Sequence, residues 1–251
     1  MGLFDRKYCS VCGEKIGLLA NRKLEDGNLC KNCAKKLSCW FDDRRHSTVE
    51  EIKAQLAYRE ENLEKVKAFN VTRTLGRHTL VVVDDGAQQF MVAHTNDFEE
   101  ENPDVIDFSQ VTGCDFDIDE DRSEEKRRTE DGREVSYNPP RYTWSYDFHM
   151  TIRVNHPFFD DMHFDLNSSS VDIEPDVQSR SFMGQRFNPR NHPDYKEYED
   201  MGREIKELFS EKKAAAAAQA APKAPVKCIH CGATTVPDKN GRCEYCESPL
   251  E

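Results

Sequence analysis

The chain has 251 residues, of which 37% are hydrophobic and 33% are charged, and its formal net charge is −12. This length accommodates one ordinary domain with small appendages, and no apolar run approaches the roughly 20 residues of a membrane span. The N-terminus lacks the apolar segment of a signal peptide, so we expect a soluble cytoplasmic protein.

The charge is distributed unevenly along the chain. Residues 1–46 hold 10 basic and 6 acidic residues (net +4), residues 213–251 hold 5 and 4 (net +1), and residues 47–212 hold 20 and 37 (net −17). An acidic region of this kind repels nucleic-acid phosphates and anionic lipid headgroups. The middle of the chain is therefore a poor candidate for binding either.

Eight of the ten cysteines fall into four Cys-x-x-Cys pairs, two near each end of the chain. In a reducing compartment such pairs indicate metal sites rather than disulfides, and two pairs supply the four thiolates of a tetrahedral zinc site. Metal-free redox dithiols are the alternative. We predict two zinc ions with the ligand sets Cys9, Cys12, Cys30 and Cys33, and Cys228, Cys231, Cys243 and Cys246.

The first ligand set predicts a treble-clef module over residues 1–46. A glycine follows Cys12, the turn signal at Glu25–Asn28 favours a hairpin, and the residues after Cys33 favour a helix. A knuckle, a hairpin and a helix in this order form a treble clef. Cys39 is interpreted as a small buried residue rather than a fifth ligand.

A connecting amphipathic helix is predicted over residues 47–70. Two overlapping capping boxes begin it, one at Ser47 with Glu50 and one at Thr48 with Glu51. Apolar residues then follow at helical spacing, namely Val49, Ile52, Leu56, Leu63 and Val66.

Residues 71–212 are predicted to form a β-rich domain closed by a C-terminal helix. Strand-like segments occur at 79–83, 89–93, 105–118, 142–154 and 162–166. Residues 119–140, charged and without periodicity, are interpreted as a long exposed loop. The helix carries Tyr198, Met201, Ile205 and Leu208 at helical spacing. The predicted fold class is α+β, with a central antiparallel barrel or sandwich that resembles a pleckstrin-homology-like domain.

The C-terminal region is predicted to be a tethered zinc ribbon. Residues 213–227 are rich in alanine and proline, and Pro222 and Pro225 stop a helix, so we interpret this segment as a flexible linker. Permanent docking of the tail is the alternative. The ribbon itself comprises residues 228–251. Because four thiolates leave no open position for water, both zinc sites are predicted to be structural.

Two further clusters contain possible metal ligands. Asp115, Asp117 and Asp119 lack the glycine and glutamate positions of a calcium-binding loop and fit the exposed side of a strand. The second cluster comprises His156, Asp160, Asp161, His163 and Asp165. Such residues could hold a divalent metal, but we interpret them as an ordinary polar hairpin end. Cys114 is interpreted as a core thiol.

Short motifs in the first quarter of the chain follow a known pattern. They are Cys9-x-x-Cys12-Gly13, Lys15–Leu18, Lys23-Leu24, Asp26-Gly27, Cys30-x-x-Cys33, Lys36-Leu37 and Arg45–Ile52. With these motifs the region resembles a bacterial family, the domain of unknown function 4428. The resemblance implies a cysteine-bound metal and no known activity.

These features together predict a non-enzymatic zinc-binding interaction or adaptor protein of the bacterial cytoplasm, with a protein partner. No nucleophile motif, phosphate-binding glycine loop or metalloprotease helix occurs in the sequence. Nucleic-acid binding through the basic N-terminal zinc module is the first alternative. Peripheral membrane association of the pleckstrin-like domain is the second, and the acidic charge of that domain opposes it.

Overall fold

A computed structural model describes residues 7–17, 19–174, 187–220, 226–236 and 242–249. Parts of the predicted first module, linker and ribbon therefore lie outside the described residues: 1–6, 18, 221–225, 237–241 and 250–251. The chain divides into two compact units, Met1–Lys213 and Ala214–Glu251. None of the described helices has the length and apolar character that crossing a bilayer requires.

The N-terminal module has two short strands and one helical turn. β1 (Arg22–Lys23) pairs antiparallel with β2 (Asn28–Leu29), which confirms the predicted hairpin. The turn α1 (Lys31–Ala34) begins earlier than the sequence indicated. A small hydrophobic core lies beside the cysteines and consists of Ile16, Leu24, Leu29, Leu37 and Ile52. The short 3₁₀ turn Asp43–His46 is the last element of this module.

Helix α2 (Val49–Ala68) confirms the predicted connecting helix. Thr48 is its N-cap and forms a capping box with Glu51, which satisfies free amides of the first turn. The second predicted box does not form, since the Ser47 hydroxyl donates to the backbone carbonyl of Asp43 instead. The buried face of α2 is unexpectedly polar: it consists of Ile52, Gln55, Arg59, Asn62 and Val66.

A buried ionic network explains part of that polar face. Arg59 Nη1 donates to Asp104 Oδ1 at 2.7 Å, and the Asp104 side chain is only 1% exposed. The same carboxylate accepts hydrogen bonds from the hydroxyls of Tyr58 (2.9 Å) and Ser38 (2.7 Å). The network therefore joins α2, the end of the N-terminal module and the chain near residue 104 within one unit.

The first sheet is a four-stranded antiparallel meander. Its strands, in both spatial and chain order, are β3 (Arg73–Gly76), β4 (Leu80–Asp84), β5 (Gln89–Ala93) and β6 (Ile106–Asp107). The single helical turn α3 (Phe98–Glu101) lies between β5 and β6. A 3₁₀ turn, Phe108–Gln110, leads into the second sheet.

The second sheet is built around one long strand. Its strands are β7 (Val111–Arg128), β8 (Glu134–Val154), β9 (Asp161–Asp165) and β10 (Val171–Ile173), and β8 pairs antiparallel with each of the others. The 3₁₀ turn Pro189–Asn191 and helix α4 (Pro193–Ala220) follow. α4 continues through residues 213–220, so the predicted flexible linker is wrong for this part, because its alanines favour a helix.

The main core lies between the two sheets and α4. Val81 and Phe90 of the first sheet contribute to the same buried cluster as Phe148 of the second sheet and Phe209 of α4. The opposite face of the first sheet, including Leu80, Val82 and Met91, packs in a separate cluster with Val66 of α2. Strand β4 is consequently buried on both faces, which accounts for its unbroken apolar run.

The mixed helix and antiparallel-sheet architecture is confirmed. Of the two predicted alternatives, a barrel or a sandwich, a closed barrel does not form. Among the described residues, the two sheets remain separate four-stranded sets with no pairing between their strands. The predicted loop at 119–140 is also wrong, because β7 and β8 continue through most of it as a paired hairpin. The Arg122 guanidinium lies 4.3 Å from the ring centroid of Tyr142 across this hairpin.

The small C-terminal unit carries two short strands. β11 (Val226–Lys227) pairs antiparallel with β12 (Thr234–Thr235). An isolated bridge joins Arg242 to Pro249. Each of these pairings encloses one Cys-x-x-Cys pair, so the backbone of this unit is organised around its cysteines.

Candidate metal centres

The N-terminal cysteines form a group with the spacing of a metal site. One ligand atom from each of Cys9, Cys12, Cys30 and Cys33 lies within 4.8 Å of all the others. The Sγ atoms of Cys12 and Cys30 are 3.7 Å apart. A tetrahedron with Zn–S bonds of about 2.3 Å places its sulfurs about 3.8 Å apart, whereas a disulfide requires about 2.05 Å. The spacing fits zinc and excludes a disulfide between these two sulfurs.

Two different backbone elements present these ligands. The first is a tight knuckle, in which Gly13 N donates to Cys9 O at 2.9 Å and Cys9 N donates to Glu14 O at 2.8 Å. Gly13 has a φ of 74°, a conformation that glycine adopts without steric cost. The second is the start of α1, where Cys30 is the N-cap and its Sγ accepts from Cys33 N at 3.3 Å.

The electrostatics of this group favour a bound cation. Burial opposes ionisation of Cys9, but backbone N–H groups of Cys12 and Cys30 outweigh it and lower the pKa of Cys9 to about 6. Burial and the neighbouring sulfurs raise the pKa of Cys33 well above its ordinary value. Four thiolates can therefore coexist here only with a positive charge between them.

The C-terminal cysteines form a second group of the same kind, also with all ligand atoms within 4.8 Å. The Sγ–Sγ distances are 3.6 Å for Cys228 with Cys246 and 3.6 Å for Cys231 with Cys243. The Ser248 hydroxyl and its backbone N–H lower the pKa of Cys246 to about 6, which favours the thiolate. This group therefore fits a second zinc ion.

Both ligand pairs of the C-terminal group lie on knuckles. Gly232 N donates to Cys228 O at 2.8 Å, and Glu247 N donates to Cys243 O at 2.8 Å. Gly232 has a φ of 75° and Glu247 a φ of 57°. Glu247 thus occupies the left-handed position that glycine fills in the other two knuckles, at a cost of about 1–2 kcal/mol for a residue with a Cβ.

All eight predicted ligands are thus brought together as two groups of four. The two cysteines left over lie outside both groups. Cys39 is exposed, so its predicted burial is wrong. Cys114 is half-buried in β7 against the main core, and burial raises its pKa to about 12, as suits an inert core thiol.

The polar cluster near the β8–β9 connection is rearranged relative to the sequence-based interpretation. His156 lies among aromatic rings, 4.2 Å from Phe159 and 4.9 Å from Tyr58 between centroids. His163 and Asp165 instead meet His149, and one ligand atom from each lies within 4.8 Å of the others. Sequence analysis missed His149 because only the pairing of β8 with β9 brings it to this place.

Residues 7–55 match the family model described as Domain of unknown function (DUF4428). The match spans the N-terminal group of cysteines and the first part of α2, and it confirms the resemblance noted from the sequence. Neither the curated proteins nor the solved structures contain a match to the chain.

Proposed function

We propose that the protein is a non-enzymatic, zinc-binding interaction protein, in which two structural zinc ions shape the modules at the two ends of the chain. The observation that carries this proposal is the clustering of the sulfurs in two groups of four, in which the Sγ atoms of three cysteine pairs lie 3.6–3.7 Å apart. A zinc ion with four thiolate ligands has no open position for water or substrate. Such ions contribute folding energy rather than chemistry.

The local architecture supports naming the two modules. A knuckle followed by a hairpin and a helical turn that carries the last two ligands fits a treble clef, and two facing knuckles fit a zinc ribbon. For the central domain, a four-stranded meander, a second antiparallel sheet and a C-terminal helix in this chain order support a pleckstrin-homology-like assignment. Sites that need reduced thiolates support a cytoplasmic location.

A groove beside the N-terminal zinc group is the surface we assign to a partner protein. It has a volume of about 590 Å³ and lies between the module, α2 and α3. Its apolar lining includes Val11, Leu56 and Leu63. Its charged lining comprises Lys35, Lys36, Lys53 and Arg59 together with Glu60, Glu99, Glu100 and Glu101. An apolar strip with charges of both signs suits a peptide segment that is itself amphipathic.

The groove explains a feature of α2 that burial alone does not. Leu56 and Leu63 belong to the predicted apolar stripe of the helix, yet they are only half-buried. Their exposed portions line the groove. Leu56 also packs against the N-terminal core with its buried portion. We therefore assign only the exposed portions of Leu56 and Leu63 to a partner.

Affinity purification of the tagged full-length chain from its native cell, with quantitative mass spectrometry, tests the proposal. We expect specific partners that are lost from the double variant Leu56→Glu, Leu63→Glu. The matched control is Leu19→Glu, since Leu19 lies in the same module and is 92% exposed. Metal analysis should give two tightly bound zinc ions in all three proteins. Retention of the same partners by the groove variant would contradict the assignment.

A further inference from the structure

We propose a third metal site, formed by His149, His163 and Asp165, that binds a divalent transition-metal ion of the Zn²⁺ class on the outward face of the second sheet. It is distinct from both cysteine groups in ligand type and in its place in the fold. Two imidazoles and one carboxylate form a ligand set that binds such ions through nitrogen and oxygen.

Strand pairing alone places the three ligands together. His149 of β8 lies directly opposite Asp165 of β9, and Thr151 lies directly opposite His163. Successive side chains of a strand point to opposite faces, and the even-numbered neighbours Met150 and Phe164 are buried in the main core. The three ligands consequently share the face that points away from the core.

The distances between the ligand atoms suit a single ion. His149 Nδ1 and Asp165 Oδ1 are 2.7 Å apart, and ligand atoms of all three residues lie within 4.8 Å of one another. Metal–ligand bonds of about 2.0–2.2 Å place two ligands of one ion about 3–4 Å apart. Small side-chain rotations bring these residues to that spacing, with the ion replacing the hydrogen bond between His149 and Asp165.

The second ring nitrogen of each histidine already has an oxygen partner. His149 Nε2 lies 3.5 Å from Asp119 Oδ2, so this nitrogen faces a carboxylate while Nδ1 faces Asp165. His163 Nδ1 lies 3.0 Å from Thr151 Oγ1, which leaves its Nε2 for an ion. Histidine ligands in proteins are oriented by such outer contacts from carboxylates and other oxygens. Asp119 and Thr151 are therefore positioning residues of the proposed site.

The surrounding charge favours a cation. The same outward face carries further carboxylates near the three ligands, namely Asp117 and Asp147, whereas Asp115 is paired there with Arg153. Acidic groups of this kind raise the local concentration of divalent cations. Three protein ligands on an exposed face leave at least one coordination position for water or another ligand, unlike the cysteine groups.

Metal titration of the full-length protein tests this proposal. The absorption spectrum of bound Co²⁺ distinguishes the two kinds of site. Thiolate ligands give charge-transfer bands, and nitrogen and oxygen ligands do not. We expect two equivalents with thiolate bands and a third without them, and about three Zn²⁺ per chain at saturation. His163→Ala and His149→Ala should each lower the affinity for the third equivalent more than about tenfold. Neither variant should change the binding of the first two equivalents.

Asp161→Asn is the matched control, because Asp161 lies on the outward face of β9 but outside the proposed ligand set. It should bind the third equivalent as the unmodified protein does. His163 is exposed, so its replacement leaves the fold intact, and the thiolate bands verify this in the same sample. Absence of a third equivalent from the unmodified protein, or its equal loss in Asp161→Asn, would overturn the proposal.

Discussion

The two cysteine groups offer the same four thiolate ligands, but we expect them to depend on a bound metal to different degrees. The N-terminal group lies beside a hydrophobic core that includes Leu24, Leu29 and Ile52, and Ile52 belongs to α2. In the described part of the C-terminal unit, the buried residues are Cys228, Thr235 and Cys243. Where a hydrophobic core is present, a bound metal adds to the folding stability that burial already provides. Where no such core is present, the metal must provide most of that stability itself.

Removal of zinc should give the largest effect and the sharpest contrast between the two groups. With a strong chelator, we expect the C-terminal unit to unfold, because structural zinc supplies about 10–16 kcal/mol of apparent binding energy in such modules. Helix α2 should retain its structure through its contacts with the first sheet. Hydrogen exchange checks this: amides of 226–236 should lose protection while those of Val49–Ala68 keep it. Simultaneous loss of protection in both regions would contradict the comparison.

The next largest effect should follow from breaking the ionic network that joins the N-terminal module to the sheets. Asp104→Ala leaves the Arg59 guanidinium buried without its carboxylate, which typically costs about 3–5 kcal/mol. Chemical denaturation measures the change in the free energy of unfolding. The control, Glu64→Gln, removes an exposed ion pair with Lys67 and should cost less than about 1 kcal/mol. Equal effects of the two variants would show that the network is not a structural link.

A smaller effect should come from Gly202 in α4. A Cβ built there would clash with the ring of Phe116 in β7, so the helix and the sheet approach each other closely at this point. Gly202→Ala should destabilise the protein by about 1–3 kcal/mol, although alanine is the better helix former. Ser210→Ala, on an exposed part of α4, is the control and should change stability little. A stabilised Gly202→Ala protein would show that α4 does not pack as described.

The smallest effects concern the knuckles of the C-terminal group and have opposite signs. Gly232→Ala forces a Cβ into a left-handed conformation and should weaken zinc binding several-fold. Glu247→Gly removes that steric cost and should strengthen zinc binding by a similar factor. Competition with a chromophoric chelator measures both affinities. Changes of the same sign in the two variants would rule out backbone strain as the cause.

Local features were predictable from the sequence because each depends on residues that are close together in the chain. The Thr48 capping box spans four residues, and the spacing of the paired cysteines by itself indicates a role as metal ligands. The hairpin over 119–140 was missed because most of its residues are exposed, so no alternation of apolar and polar residues marks its strands. The strands of this hairpin are held by backbone pairing, and no pattern of side chains in the sequence indicates that pairing.

The sequence by itself determined which eight cysteines form the two groups of four and that helices and antiparallel strands lie between them, since spacing and periodicity are local properties. Tertiary structure alone decided that Arg59 and Asn62 are buried and that His149 joins His163 and Asp165. A buried polar residue becomes favourable only when a partner distant in sequence satisfies it, as Asp104 does for Arg59. A site assembled across strands exists only once the register of those strands is set.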